Sequence, residues 1–170
     1  MASHAASSRR HRWHGWHWFA LAVSIVICFG AALVGQIFTV PGLGGWYESL
    51  NKPSWNPPSW IFGPLWSALF LLMAVAVWMV WREDDAKYRR TAIILFAIQL
   101  LLNVLWTAIF FEMRSPGLAA LEVAALWIAI AATTATFARV SRTAAYLMMP
   151  YLGWVTFAAA LNLAVWRLNS

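Results

Sequence analysis

Five long apolar runs, separated by shorter polar segments, dominate the pattern of this chain. Each run approaches or exceeds the roughly 20 residues that a helix needs to cross about 30 Å of hydrocarbon. Because a backbone inside a bilayer must satisfy its own hydrogen bonds, the runs predict helices rather than strands. The predicted fold is an all-α integral membrane protein, a bundle of five transmembrane helices. The predicted spans are residues 18–40, 59–81, 91–111, 117–137 and 143–166.

Composition agrees with a membrane location. Of the 170 residues, 62% are hydrophobic and 11% are charged, whereas a soluble domain carries about 25% charged residues. The net charge of +6 does not indicate nucleic-acid binding, because the basic residues fall at loop ends rather than along one helix face. We therefore expect the lipid bilayer, and not nucleic acid, as a partner. The single cysteine, Cys28, lies among apolar residues and predicts a buried thiol.

Residues 1–17 predict a basic, disordered tail ahead of a membrane domain at 18–170. His11, His14 and His17 recur at a spacing of three and would share one face of a helix. The arginines beside them would repel a cation and no carboxylate lies nearby, so we expect no metal site. The tail is suited instead to contact anionic lipid headgroups.

The basic residues also predict the orientation in the membrane. With five spans, the tail, the second connection and the fourth connection share one side and hold nine of the twelve Lys and Arg residues. In a bacterial inner membrane this places the N-terminus in the cytoplasm. The nine are Arg9, Arg10, Arg12, Arg82, Lys87, Arg89, Arg90, Arg139 and Arg142; the other three are Lys52, Arg114 and Arg167.

The connection between the first two spans, residues 41–58, is rich in aromatic residues and proline, and the same pattern continues to Trp66. Each proline removes a backbone donor and biases the residue before it toward extended geometry, so no helix is expected before Ser59. Trp and Tyr are enriched where an apolar environment meets water, as at the membrane interface or the mouth of a cavity. We call residues 41–58 the lid loop and expect it to cover the mouth of a cavity, on the side opposite the N-terminus.

Polar residues inside the spans are costly in lipid and mark a cavity or a partner helix. The third and fifth spans each present a face that combines an amide with tryptophan. These faces could line a ligand pocket, or their amides could simply hydrogen-bond between helices. The residues are Gln99, Asn103, Trp106 and Phe110 on the third span, and Tyr151, Trp154, Ala158 and Asn162 on the fifth.

Glu122 is the one carboxylate well inside a predicted span. It lies little more than one turn after Gly117, which favours a place near the interface where it could meet Arg114. A proton carrier or a counter-ion for a cationic ligand are the alternatives. No second buried acid accompanies it, which argues against a proton-coupled transporter.

Enzyme signatures are missing from the sequence. It contains no paired-acid site, GxSxG, Gly-rich phosphate loop or HExxH, so no firm catalytic residue is predicted. No histidine lies in a span, which argues against an imidazole-ligated haem. A flat aromatic ligand that needs no metal or cofactor suits the residues better, because indole faces can stack on it while Tyr47, Asn103 and Asn162 hydrogen-bond its polar edge.

Four ordered motifs resemble the translocator protein family, TspO/MBR, also called tryptophan-rich sensory or peripheral-type benzodiazepine receptor proteins. The resemblance extends over roughly residues 18–170. The motifs are WYxxLxKPxWxPPxWxFxPxW at 46–66, QxxxNxxWTxxFF at 99–111, PYLxWxxFAxxLN at 150–162 and VWRxNS at 165–170.

This resemblance implies a five-helix bundle, usually a homodimer, with a pocket between the helices under the lid loop. The implied function is that of a membrane receptor or carrier that binds tetrapyrroles such as protoporphyrin IX, with a role in porphyrin homeostasis or in stress or light sensing. With Asn162 added from its helix face, the predicted ligand-binding residues are Tyr47, Trp60, Trp66, Asn103, Trp106, Trp154, Ala158 and Asn162.

Three alternatives stay open at this point. The protein could catalyse light- and oxygen-dependent porphyrin degradation, for which the resemblance implicates Trp66 and Trp154. It could be a transporter, although no coupling-ion site is visible. It could bind sterols, as animal members of the family do, but Ala164 stands where their sterol pattern has a tyrosine, so porphyrin is favoured.

Overall fold

The computed structural model describes residues 3–83 and 87–170, with side chains from residue 17 onward. Five of its helices are long and apolar enough to cross a membrane, which confirms the predicted fold class. A short helix lies between the first two, and a π-helical turn continues the third span. The elements are α1 (Ser3–Leu43), α2 (Trp46–Ser49), α3 (Ser59–Trp81), α4 (Arg89–Thr107), the π-helical turn (Ala108–Glu112), α5 (Pro116–Ala138) and α6 (Arg142–Leu168).

The observed helix ends lie close to the predicted ones except at the start of α1, which begins at Ser3 rather than near residue 18, and at two places in the lid loop. α1 runs through Pro41 to Leu43, three residues into the lid loop, because a proline in the last turn removes only one backbone bond. The segment Trp46–Ser49 is a single helical turn where irregular backbone was predicted. The side chains of residues 1–16, including His11 and His14, lie outside the described residues, and the disorder of the tail stays a prediction.

The five long helices pack in a closed ring, in the order α1, α4, α5, α6 and α3. Large side chains fill the interior: Met73, Met148 and Tyr151 are fully buried, and so is Cys28, as predicted. The outward faces carry large apolar residues that are mostly exposed. Contiguous apolar surface of this kind is what helices present to hydrocarbon.

Two glycines position the lid loop against the π-helical turn. A Cβ on Gly42 would lie 2.9 Å from Cβ and 3.0 Å from the carbonyl oxygen of Phe111. Only glycine therefore lets the end of α1 approach the π-helical turn this closely. Gly45 has φ +77°, a left-handed conformation that glycine adopts without steric cost, and it turns the chain from α1 into α2.

Candidate ligand site beneath the lid loop

The first half of the lid loop rests on the two phenylalanines of the π-helical turn. The ring of Trp46 meets Phe110 edge-on, with centroids 5.7 Å apart. Tyr47 contacts both Phe110 and Phe111, at 6.3 and 5.8 Å. A π-helical turn widens the helix by one residue and is frequent at functional sites. Here it turns two consecutive phenylalanines toward the same loop.

The second half of the lid loop rests on α6. Trp55 meets Phe157 edge-on at 5.6 Å, and Phe157 in turn stacks on Trp154 at 5.2 Å. From α3, Phe62 meets Trp154 edge-on at 5.8 Å. Phe62, Trp154 and Phe157 make the seam between α3 and α6 aromatic directly beneath the loop. We call these three rings the α3–α6 seam.

Deeper in the bundle, Trp66 of α3 meets Tyr151 of α6 edge-on at 6.3 Å. Tyr151 is completely buried, and its hydroxyl accepts a hydrogen bond of 3.0 Å from Nδ2 of Asn103 on α4. The prediction included Asn103 and Trp66 but omitted Tyr151 from the ligand-binding set. Its place on the same helix face as Trp154, three residues earlier, was the available signal.

Asn162 joins three helices through its side-chain amide. Its Oδ1 accepts from the indole Nε1 of Trp106 on α4 over 3.0 Å, and its Nδ2 donates to the carbonyl oxygen of Pro116 at the start of α5 over 2.7 Å. Asn162 and Asn103 thus both make the interhelical hydrogen bonds that the sequence left as an alternative. Contact of either with a ligand stays a prediction.

Among the described residues, four buried side chains keep polar atoms without a hydrogen-bond partner. The atoms are Nδ1 of His17, Oε1 of Gln99, both carboxylate oxygens of Glu122 and Nε1 of Trp154. The side chain of Glu122 is 9% exposed, because it is on the same face of α5 as the buried Ala119 and Leu126. Its location near the membrane interface stays a prediction. The Trp154 indole N–H is an unused donor within the α3–α6 seam.

Tyr47 links the two halves of the lid loop. Its hydroxyl donates to Oδ1 of Asn56 over 3.3 Å, and Nζ of Lys52 lies 4.7 Å from the ring centroid, a cation–π distance. Burial raises the pKa of the Tyr47 phenol above its usual range. The loop is therefore stabilised by contacts of its own as well as by the rings beneath it.

Not every predicted ligand residue joins this arrangement. Trp66, Trp106 and Trp154 all pack, partly buried, against the same core, whereas Trp60 is 73% exposed in the first turn of α3. A separate apolar groove of about 680 Å³ lies between α1, α3 and α4. None of the eight predicted ligand-binding residues lines that groove.

The fold and the site define a class of protein: a five-helix membrane bundle in which a proline-rich aromatic loop closes over rings on three helices. Comparison with known families agrees with this assignment. The model of the TspO/MBR family matches residues 22–167. The chain belongs to the TspO/MBR family.

Curated relatives cover most of the chain. It is 42% identical over 153 residues to the tryptophan-rich protein TspO of Chlorobaculum tepidum, an alignment that covers 88% of this chain and 95% of the relative. It is 41% identical over 154 residues to the human translocator protein, covering 89% and 88%. The tryptophan-rich sensory protein of Cereibacter sphaeroides is 35% identical over 152 residues, covering 89% and 92%.

Proposed function

We propose that this protein is a membrane receptor or carrier that binds a tetrapyrrole between the lid loop and the α3–α6 seam. The observation that carries the proposal is the indole N–H of Trp154, which is buried without a partner among the described residues, in a ring that packs against Phe62 and Phe157. A buried donor without an acceptor destabilises the protein, and a ligand atom that accepts the hydrogen bond would remove that cost. A flat aromatic ligand with polar edge groups supplies both a stacking face and an acceptor.

Ring geometry supports a flat ligand. The contacts between the lid loop and the helices are edge-on or tilted ring pairs, as for Trp55 on Phe157 and Tyr47 on Phe111. Each such pair is worth about 0.5–1.5 kcal/mol beyond the area it buries. A macrocycle that inserts between the loop and the seam would exchange these pairs for ring contacts of its own.

Titration with protoporphyrin IX in dim light tests this function. We expect saturable quenching of the tryptophan emission of the purified protein. The double variant Trp66→Ala with Trp154→Ala should abolish saturable binding. Trp127→Ala is the matched control, because Trp127 is 38% exposed on α5 and lies outside the described rings of the site. Unchanged affinity in the double variant overturns the site, and absence of saturable binding in the unmodified protein overturns the function.

We further propose that the lid loop faces away from the cytoplasm, as nine of twelve basic residues lie toward the opposite side. The native Cys28 is fully buried, so an introduced cysteine can be labelled selectively. In intact bacterial cells, Ser54→Cys in the lid loop should react with a membrane-impermeant maleimide and Lys87→Cys should not. The reverse pattern overturns this orientation.

A further inference from the structure

The side-chain amide of Asn169, the residue directly after α6, is paired with the main chain of Asn51 in the lid loop. The Asn51 N–H donates to Oδ1 of Asn169 over 3.0 Å. In return, Nδ2 of Asn169 donates to the carbonyl oxygen of Asn51 over 2.9 Å. The two residues are 118 positions apart in the chain. This pairing ties the lid loop to the end of the last helix.

The orientation of the Asn169 amide is fixed by a third hydrogen bond. Nδ2 also donates to the carbonyl oxygen of Val165 over 2.7 Å, one of the carbonyls that a helix end leaves without an intrahelical partner. Both donors of the amide are then used, along with one acceptor position. Aspartate has the same shape but no donor, and would place its oxygen against two carbonyl oxygens. The arrangement therefore requires an amide.

Asn51 lies between the two points where rings hold the lid loop. On one side Tyr47 packs on the π-helical turn, and on the other Trp55 packs on Phe157. The Asn169 amide thus holds the middle of the loop, between the two places where described rings pack against it. Lifting the loop from the α3–α6 seam requires both hydrogen bonds to Asn51 to break.

We propose that Asn169 is a positioning residue that latches the lid loop and sets the rate at which a ligand enters and leaves the site. The latch is a local property of the two chain segments. Its effect on ligand exchange rests on the proposed function. Hydrogen exchange of the loop without ligand tests the latch. The rates of ligand binding and release, measured separately, test its effect on ligand exchange.

Hydrogen exchange of the ligand-free, full-length protein in nanodiscs tests the latch directly. Asn169→Asp removes both donors without changing the size of the side chain, but keeps an acceptor for the Asn51 N–H. Asn169→Ala removes all three hydrogen bonds without adding a charge. In both variants we expect exchange of residues 50–58 to be faster by roughly ten-fold, because alanine loses both hydrogen bonds to Asn51, while aspartate loses one and sets an oxygen against the Asn51 carbonyl. Asn51→Ala is the matched control, because the latch uses only the main chain of Asn51, and its exchange should equal that of the unmodified protein.

Stopped-flow measurement of protoporphyrin IX tests the effect on ligand exchange. In the two Asn169 variants we expect association and dissociation both to accelerate, by roughly ten-fold for dissociation, so that Kd changes less than either rate. A residue that merely contacted the ligand would raise the dissociation rate and leave association unchanged. That result overturns the proposed role of Asn169.

The remaining outcomes are also decisive. Unchanged exchange of residues 50–58 in both Asn169 variants overturns the latch. Faster exchange with unaltered ligand rates overturns its control of ligand entry and release. If the unmodified protein binds no protoporphyrin IX, the proposed function fails, and with it the role in ligand exchange, whereas hydrogen exchange still decides the latch.

Discussion

Trp106 on α4 and Asn162 on α6 are joined by a hydrogen bond of 3.0 Å between the indole Nε1 and Oδ1. The same amide donates to the carbonyl oxygen of Pro116 over 2.7 Å, so one side chain connects α4, α5 and α6 just below the lid loop. Asn162 is 2% exposed. In such a place an amide stabilises the helix arrangement only while both of its ends are hydrogen-bonded.

Asn162→Leu should therefore destabilise the bundle. Leucine is of similar size but leaves the Trp106 N–H without an acceptor and removes the hydrogen bond to the Pro116 carbonyl, at a cost of about 1–3 kcal/mol. Thermal unfolding in detergent should show a lower Tm. Gln36→Leu replaces an exposed amide on α1 and should leave Tm nearly unchanged. Equal Tm values for the two variants would contradict the joining role of Asn162.

Gly42→Ala should destabilise the packing of α1 on the π-helical turn. The added Cβ would lie 2.9 Å from Cβ of Phe111 and 3.0 Å from its carbonyl oxygen, and overpacking of this kind costs about 1–3 kcal/mol. Gly30→Ala, on the same helix, meets nothing within 4 Å and should be neutral or stabilising by up to about 1 kcal/mol. Thermal unfolding of the pair measures the difference. A higher Tm for both would show that α1 does not approach Phe111 so closely.

Glu122→Gln should stabilise the protein. Both carboxylate oxygens are buried without a partner, and an unpaired carboxylate is costlier to bury than an amide of the same shape. We expect a gain of about 1–3 kcal/mol near neutral pH, measured by thermal unfolding. Glu112→Gln, at an exposed position, is the control and should have little effect. A loss of stability on Glu122→Gln would mean that the carboxylate has a partner in the folded protein.

Stability should fall as pH rises above about 10, the usual pKa of a tyrosine in an unfolded chain. Burial raises the pKa of Tyr47 in the folded protein, so over this range the unfolded state loses the phenolic proton first. The stability due to Tyr47 is complete below about pH 10 and is lost as pH approaches the raised value. Tyr47→Phe should reduce the pH dependence of Tm. The same pH dependence of Tm in Tyr47→Phe and in the unmodified protein would contradict this role of Tyr47.

The spans could be predicted closely because each depends on local composition alone. The third span was predicted at 91–111, and α4 with its π-helical turn covers Arg89–Glu112. The start of α3 at Ser59 followed from the prolines before it, since these prevent an earlier helix. Helical spacing also placed Asn103 and Trp106 correctly on the inward side of α4.

The rotation and pairing of helices could not be read from the sequence. The distance of Glu122 from the end of its span indicated a depth in the membrane but not whether the side chain is buried, because burial depends on which face of α5 turns inward. Trp60 shares a motif with Trp66, yet it lies six residues earlier and faces outward. The partners of Asn103 and Asn162 depend on which helices are neighbours, and that is settled by packing over the whole bundle.

The π-helical turn also changes the direction in which the residues after it point from the helix axis. Successive residues of an α-helix are rotated by about 100°, and the extra residue within Ala108–Glu112 offsets everything after it by that amount. A variant that lacks Ala108 would regain a regular helix at this point. Phe111 would then no longer contact Tyr47. The lid loop would lose this support although every aromatic residue is still present.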